Sequence, residues 1–508
     1  MSYKTDIAAN YLSQAYVIVV GMVVVPSYVR MMGTEAYGLI SFFAVLQACF
    51  QIMDMGLSAT IVRETSQFRG GVISARSLRN LLRALEALFA GMAVIVASAV
   101  LLGSDTIAHD WLQVRELATG EVRNAIMLMA LIAAFRWIAG LYRGIITGFQ
   151  QLVWLSGFNA LVATFRFLLV IPVMISLGAT PAVFFGYQVL MAVLEALVLL
   201  AKAYRCLPSA PGAVRLAQSM EALRRVYRFS LGMAVVSVVW LLLTQADKAV
   251  LSRMLTLGEY AEYNVAVMLA GGLLMASAPI VTAMLPRLNK SSAQKDYDSL
   301  YALYRHSTQI VAAVTFPAAA VLAVFAEQVL WIWTGNPDLA AKGTLVLAFH
   351  ALGNCIMAIS SFPSHLQVAE GKLRLYVIGA VLFISLFIPL LLYASWAHGA
   401  VGAAFSWFAI NLVYLLCWVP LVHTTLHRGL HGVWMRQDIG GVLLGSAVGV
   451  VAAEYLIAWS PDRLVAAAQL CVASILTLAA GVMGSPFLRR KILGGIRASR
   501  VPAGTLNE

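Results

Sequence analysis

The chain has 508 residues, 61% of them hydrophobic and only 11% charged, with a mean hydropathy of +0.84. That composition excludes the soluble globular and disordered classes and fits a polytopic membrane protein. The net charge of +12 does not point to nucleic acid, because membrane proteins gather Lys and Arg in cytoplasmic loops. Cys49, Cys206, Cys355, Cys417 and Cys471 lie far apart and form no CxxC, so neither a disulfide framework nor a zinc site is indicated.

Apolar windows of about 20 residues, enough to cross a bilayer, occur at 8–29, 38–61, 82–103, 124–147, 152–175, 182–201, 229–252, 261–284, 308–326, 343–365, 375–394, 401–422, 438–458 and 464–484. The expected fold is all-α and integral to the membrane, with fourteen transmembrane helices. The first window is too long for the core of a signal peptide, and no small-residue cleavage site follows it. In the second, Gln47, Gln51, Asp54 and Ser58 recur at steps of 4, 3 and 4, one face of a continuous helix. A lipid-facing helix would not carry them. Two readings are open: a polar seam in the bundle core, or the lining of a pathway.

Arg136 and Arg143 share a face of the 124–147 helix, and Arg166 lies near the middle of the next. They form a cationic cavity suited to phosphate oxygens, or they pair with Asp54 or Glu195. Arg143 is placed to snorkel, and Glu195 is expected to reach the cytoplasmic interface. Asp247 and Lys248, with Thr244 and Gln245, are either an interfacial ion pair or an outer gate or coupling-ion site. His423, His427 and His431 stand four apart, yet Gly429 and Gly432 end the helix there. A solvated interfacial face is favoured over a metal site. No nucleophile elbow, phosphate-cradling loop or zinc-protease motif occurs, and no soluble domain fits between the windows. An enzyme is therefore not expected, nor a metal or a cofactor.

With the N-terminus cytoplasmic, 26 Lys and Arg fall on the cytoplasmic side and 6 on the other. Both termini are therefore expected inside. Gly33…Tyr37 answers Gly258…Tyr263, Arg63 answers Arg287, Gly148 answers Gly371, and Gly178 answers Gly399, at offsets near 221–225. Six spans return the chain to its starting side, so the halves are parallel repeats with a site between them. The expected division is an N-lobe at 1–205, a cytoplasmic linker at 206–228, a C-lobe at 229–428, two appended helices within 429–485, and a basic cytoplasmic tail at 486–508.

The segment Asp54-Met-Gly-Leu-Ser-Ala-Thr-Ile-Val-Arg63 resembles the second-helix signature of bacterial polysaccharide transporters, the Wzx-type flippases. Asn10, Pro26, Gly33…Tyr37-Gly38 and Asp247-Lys248 followed by Gly258…Tyr263 fit the same pattern. The likeness runs over essentially the whole chain and specifies the multidrug/oligosaccharidyl-lipid/polysaccharide exporter superfamily better than a substrate. It implies movement of an undecaprenyl-diphosphate-linked oligosaccharide across the bacterial inner membrane by alternating access. It also implies coupling to H⁺, Na⁺ or the membrane potential, membrane lipid as a partner, and a polysaccharide polymerase and chain-length regulator alongside. A multidrug or small-solute antiporter on the same architecture, and a membrane polymerase or ligase, are the competing functions. The topology predicts that cysteines placed at Ser74, Ala210 and Ser292 label only from the cytoplasmic side; outer-side labelling of any one would overturn it.

Overall fold

The computed structural model describes residues 3–52, 54, 57–207 and 241–491, with side chains at 3–9, 49, 51, 52, 283 and 373 left out. The linker and tail expected at 206–228 and 486–508 lie mostly outside the described residues. No strand occurs among the described residues, which are mostly helical. It divides into two compact units, Met1–Ala261 and Glu262–Glu508. The first holds α1 (Tyr3–Met32), α2 (Thr34–Ile52), α3 (Leu57–Arg69), α4 (Ala75–Leu102), α5 (Thr119–Gly148), α6 (Leu152–Leu177), α7 (Pro181–Cys206) and α8 (241–254). α9 (Leu257–Ala293) starts in that unit and runs into the second. The second continues with α10 (Tyr297–Val324), α11 (Ala326–Thr334) and α12 (Pro337–Ala369), then α13 and α14 within Arg374–Leu426, α15 (Leu430–Leu456) and α16 (Arg463–Gly484).

Eleven helices among the described residues are long and apolar enough to cross a membrane. One of them, Arg374–Leu426, has 53 residues. Straight, it would be about 80 Å long, far beyond a bilayer core. It is a hairpin. Gly399 breaks it at φ 56°, ψ −133°. Beyond the break Ser406 Oγ donates to Leu390 O at 3.3 Å, and the rings of Phe383 and Tyr414 lie 5.8 Å apart. The eleven helices therefore hold twelve of the predicted windows. Of the other two, 229–252 lies partly outside the described residues, and 38–61 is not one helix: α2 ends at Ile52 and α3 begins at Leu57.

Each unit has one spanning helix at its centre, α5 in the first and α12 in the second. In α5 56% of the apolar window is buried, and in α12 61%, against 22% in α4. α5 is flanked by α2, α3, α4, α6 and α7. Gly144 and Gly148 let α3 come close: a β-carbon at Gly148 would lie 2.5 Å from Thr65 Cβ. Such small-residue contacts drive helix packing where lipid offers no hydrophobic contrast. The same device joins α15 to α16, with Gly441, Gly445 and Gly449 against Gly484, Ala480 and Thr477. These two helices pack on α10, so they belong to the body of the second unit rather than standing apart from it. A buried network ties them down. Arg305 grips Asp438 with Nε at 2.8 Å and Nη2 at 3.0 Å, Gln309 Nε2 donates to Asp438 at 2.7 Å, and Ser485 Oγ donates back to Gln309 at 2.8 Å.

The repeat is visible in the turns. Among the described residues nine have positive φ, and six of these form pairs: Gly71 with Lys295, Gln150 with Gly371, Gly178 with Gly399. The offsets are 224, 221 and 221 residues. The hydrogen bonds repeat as well. Gly70 N and Val72 N bond to Ser66 O and Gln67 O, as Gln294 N and Asp296 N bond to Lys290 O and Ser291 O. Both are helix ends closed by one left-handed residue. Glycine takes that conformation freely, whereas a residue with a β-carbon is strained by roughly 1–2 kcal/mol. Lys295, exposed at φ 57°, stands where the other half has Gly71. Lys295→Gly should raise unfolding stability by about 1 kcal/mol, and Gly71→Val should lower it, measured as shifts in thermal unfolding in detergent; an unchanged midpoint for both would contradict the assignment of these turns.

Candidate functional site

The first unit brings Arg136, Arg143 and Glu195 together along the contact between α5 and α7. The two helices meet in two rungs, seven residues apart on each. At one, Arg136 Nη2 donates to Gln188 Oε1 at 3.1 Å; at the other, Arg143 Nη2 donates to the Glu195 carboxylate. Two turns of helix separate the rungs on both sides, so the helices run parallel and in register here. Arg136 also donates through Nη1 to Gln47 Oε1 at 3.2 Å and lies over the Phe43 ring, 5.3 Å from its centre. Its buried Nε has no hydrogen-bond partner among the described residues. Arg143 Nη1 donates to Asn159 of α6.

Arg166 is placed by a local widening of α6. Over Thr164–Leu168 the helix takes a π turn, closed by Leu169 N to Thr164 O at 3.3 Å. A π turn turns carbonyls away from their usual i+4 donors, and such turns recur at functional sites. Here side chains supply the missing donors. Tyr187 OH reaches Phe165 O at 2.8 Å, Gln188 Nε2 reaches Arg166 O at 3.0 Å, and Tyr28 OH reaches Phe167 O at 2.6 Å. Gln188 thus does two jobs: its oxygen accepts from Arg136 and its nitrogen holds the backbone that carries Arg166. The Arg166 guanidinium lies 4.9 Å from the centre of the Phe167 ring.

A cavity of about 350 Å³ opens beside these groups, lined by Ser13, Gln14, Arg143, Asn159, Arg166 and Glu195 among others. Glu195 is 6% exposed. Arg143 and Glu195 neutralise each other. Among the described residues Arg136 and Arg166 make no ion pair with a carboxylate. The site therefore keeps a positive excess.

Several expectations change. Glu195 does not reach an interface; it is buried and holds Arg143, which does not snorkel away from it. Asp54 pairs with neither arginine. It lies in the break between α2 and α3, where its carboxylate accepts Ser58 Oγ at 2.6 Å and Ser58 N at 3.3 Å. A carboxylate is favourable at that helix start. Gln47 on α2 and Ser58 on α3 thus belong to two helices, with Asp54 in a turn between them. The Gln51 side chain lies outside the described residues. Lys248 donates to Gln245 at 3.3 Å, and Asp247 is buried, both on α8 in the first unit rather than in a C-lobe. His423 is no solvated rim. It is fully buried, with Tyr304 OH on Nε2 at 2.7 Å and His431 Nδ1 facing its Nδ1 at 3.2 Å. The sequence reading passed over Gln188 and Asn159. Gln188 had a signal, since it precedes Glu195 by the same seven residues that separate Arg136 from Arg143.

The family model described as "Polysaccharide biosynthesis protein" matches residues 4–292, more than half of the chain. The chain belongs to this family. The fold is similar to those of solved flippases and exporters. A structure titled "Lipid II flippase MurJ, inward closed conformation" is similar with a TM-score of 0.74 at 13% identity, covering 96% of this chain and 99% of that one. An inward-facing multidrug resistance MATE family transporter of the MOP superfamily is similar with a TM-score of 0.60 at 13% identity, covering 84% and 96%. A MOP superfamily transporter from Pyrococcus furiosus, whose title reports a binding pocket of reversed polarity, is similar at 0.53 and 12% identity, covering 84% and 97%. No curated protein matches the sequence. Within this family setting the Asp54 geometry separates shape from charge. Asp54→Asn keeps an oxygen for Ser58 and should leave membrane levels near normal, while transport falls through loss of the charge. Asp54→Ala should cost a further 1 kcal/mol or so of stability. Full transport by Asp54→Asn would assign the residue to folding alone.

Proposed function

We propose that the protein is a flippase. It carries an undecaprenyl-diphosphate-linked oligosaccharide, a repeat unit of an O antigen or exopolysaccharide, from the cytoplasmic to the periplasmic leaflet of the bacterial inner membrane. The observation that carries this reading is the positive excess beside the first unit's cavity: Arg136 and Arg166 hold no carboxylate, while Arg143 has one. A diphosphate diester brings two negative charges and several acceptor oxygens. Guanidinium groups match such oxygens with planar, paired donors, which a lysine does not reproduce. The sugar is too polar for hydrocarbon and must cross inside the protein, while the polyprenyl tail stays in lipid. Alternating access of the two halves supplies that passage, driven by H⁺, Na⁺ or the membrane potential.

A positive wall is the wrong sign for the apolar cations that a multidrug exporter handles. The family membership supports a role in polysaccharide assembly, and the likeness to transporter folds favours transport over polymerisation. The outer segment that a polymerase or ligase would use is short and bound down here. Its Arg115, Glu116 and Leu117 amides donate to the Glu35 carboxylate at 2.5, 2.6 and 2.9 Å. A polymerase and a chain-length regulator are the partners this role calls for.

Reconstitution into vesicles with a defined polyprenyl-diphosphate sugar, followed leaflet to leaflet, tests the reading. Arg136→Glu or Arg166→Glu should abolish transfer, and Lys at either position should keep part of it. Full transfer by the Arg136→Gln, Arg166→Gln double variant would overturn it.

A further inference from the structure

Glu195 is an awkward residue for an anion-binding site. It is 6% exposed, lines the same cavity as Arg143 and Arg166, and occupies one of the two guanidinium groups there. We infer that Glu195 is the proton acceptor of this site: the lipid diphosphate displaces its carboxylate from Arg143, and Glu195 takes up one proton as the anion binds. The inference rests on the lipid-diphosphate reading above.

The argument is one of charge in a poorly hydrated place. With Glu195 ionised, the cavity wall carries two guanidinium charges and one carboxylate, and Arg136, in the neighbouring rung, adds a third guanidinium. The charged groups that face Glu195 are Arg143 and Arg136 from α5 and Arg166 from α6. α1 presents Ser13 and Gln14, which do not titrate, and α6 presents Asn159. No other carboxylate lines this cavity among the described residues. A diphosphate diester arrives with two negative charges. Arg166 is available to one phosphate, and the other guanidinium lining the cavity, Arg143, is held by Glu195 until the second phosphate takes it. A buried carboxylate stripped of its partner beside a dianion is strongly disfavoured as the anion. Protonation removes that penalty. The Glu195 oxygen gains the proton from water, its bond to Arg143 Nη2 is lost, and Nη2 donates to a phosphate oxygen instead. Glu195 is the one carboxylate lining this cavity among the described residues, so the proton belongs to it. On release of the lipid the proton leaves and the Arg143–Glu195 pair re-forms, so the empty site's positive excess is confined to Arg136 and Arg166.

The pH dependence follows from linkage. Where Glu195 is ionised in the empty protein and protonated in the complex, binding takes up one proton, and affinity falls tenfold for each unit rise in pH. The test is calorimetry of the full-length protein in detergent, titrated with a polyprenyl-diphosphate-linked disaccharide at one pH in two buffers of different ionisation enthalpy, repeated over a range of pH. The wild-type protein should take up close to one proton per lipid and show the tenfold slope. Glu195→Gln should bind the lipid with no proton uptake and a flat pH profile. Binding by the wild-type protein without proton uptake would overturn this inference and leave the flippase reading standing. Proton uptake that persists in Glu195→Gln would assign it to another group and also overturn it. No binding by the wild-type protein would overturn both.

Discussion

An arginine at the centre of a bilayer costs roughly 2.5–3.5 kcal/mol on the insertion scale. The first unit carries three of them within its spanning helices. They cannot face lipid, so the helices around them are arranged to give each a polar partner or a cavity. α5 supplies Arg136 and Arg143 from one face, α7 answers with Gln188 and Glu195 at the same spacing, and α6 gives up regular geometry to bring Arg166 alongside. The π turn is affordable only because Tyr28, Tyr187 and Gln188 satisfy its carbonyls. Removing any of these donors would leave a bare carbonyl in a place with little water, at about 1–3 kcal/mol each.

The partners are not equivalent. Glu195 cancels the charge of Arg143, whereas the amides of Gln47 and Gln188 satisfy the hydrogen bonds of Arg136 without cancelling its charge. A structural seam would be expected to neutralise its cations, because neutral pairs cost less to bury. This one leaves charge standing next to a cavity. That difference joins the packing of α5, α6 and α7 to a ligand of opposite sign. The second unit treats its charge differently: Asp438 is fully buried but held by Arg305 and Gln309, with nothing left over.

Much of the fold can be read in the sequence because a bilayer leaves few choices. A spanning backbone must be helical, and its length follows from membrane thickness. The repeat was legible through glycines, since left-handed turns prefer them, and Gly371, Gly178 and Gly399 do adopt positive φ. Where the other half uses Gln150 or Lys295 for the same turn, the sequence carries no such mark. Arg136 and Arg143 were legible as one face by their spacing. Their partners were not, because a Gln or Glu on a distant helix can be matched to an Arg only once the helices are docked. The turn at Asp54 hid inside an apolar run without proline, where periodicity reads straight through. The π turn hid for a similar reason: it shifts register by one residue and leaves the hydropathy unchanged.

The central claim is that the first unit's uncompensated arginines hold a diphosphate. Native mass spectrometry of the purified protein with polyprenyl alcohol, monophosphate and diphosphate, all of one chain length, tests it most directly. The account predicts that occupancy rises with each added phosphate, and that the Arg136→Gln, Arg166→Gln double variant binds all three alike. Equal binding of alcohol and diphosphate by the wild-type protein, or undiminished preference for diphosphate in the double variant, would contradict it.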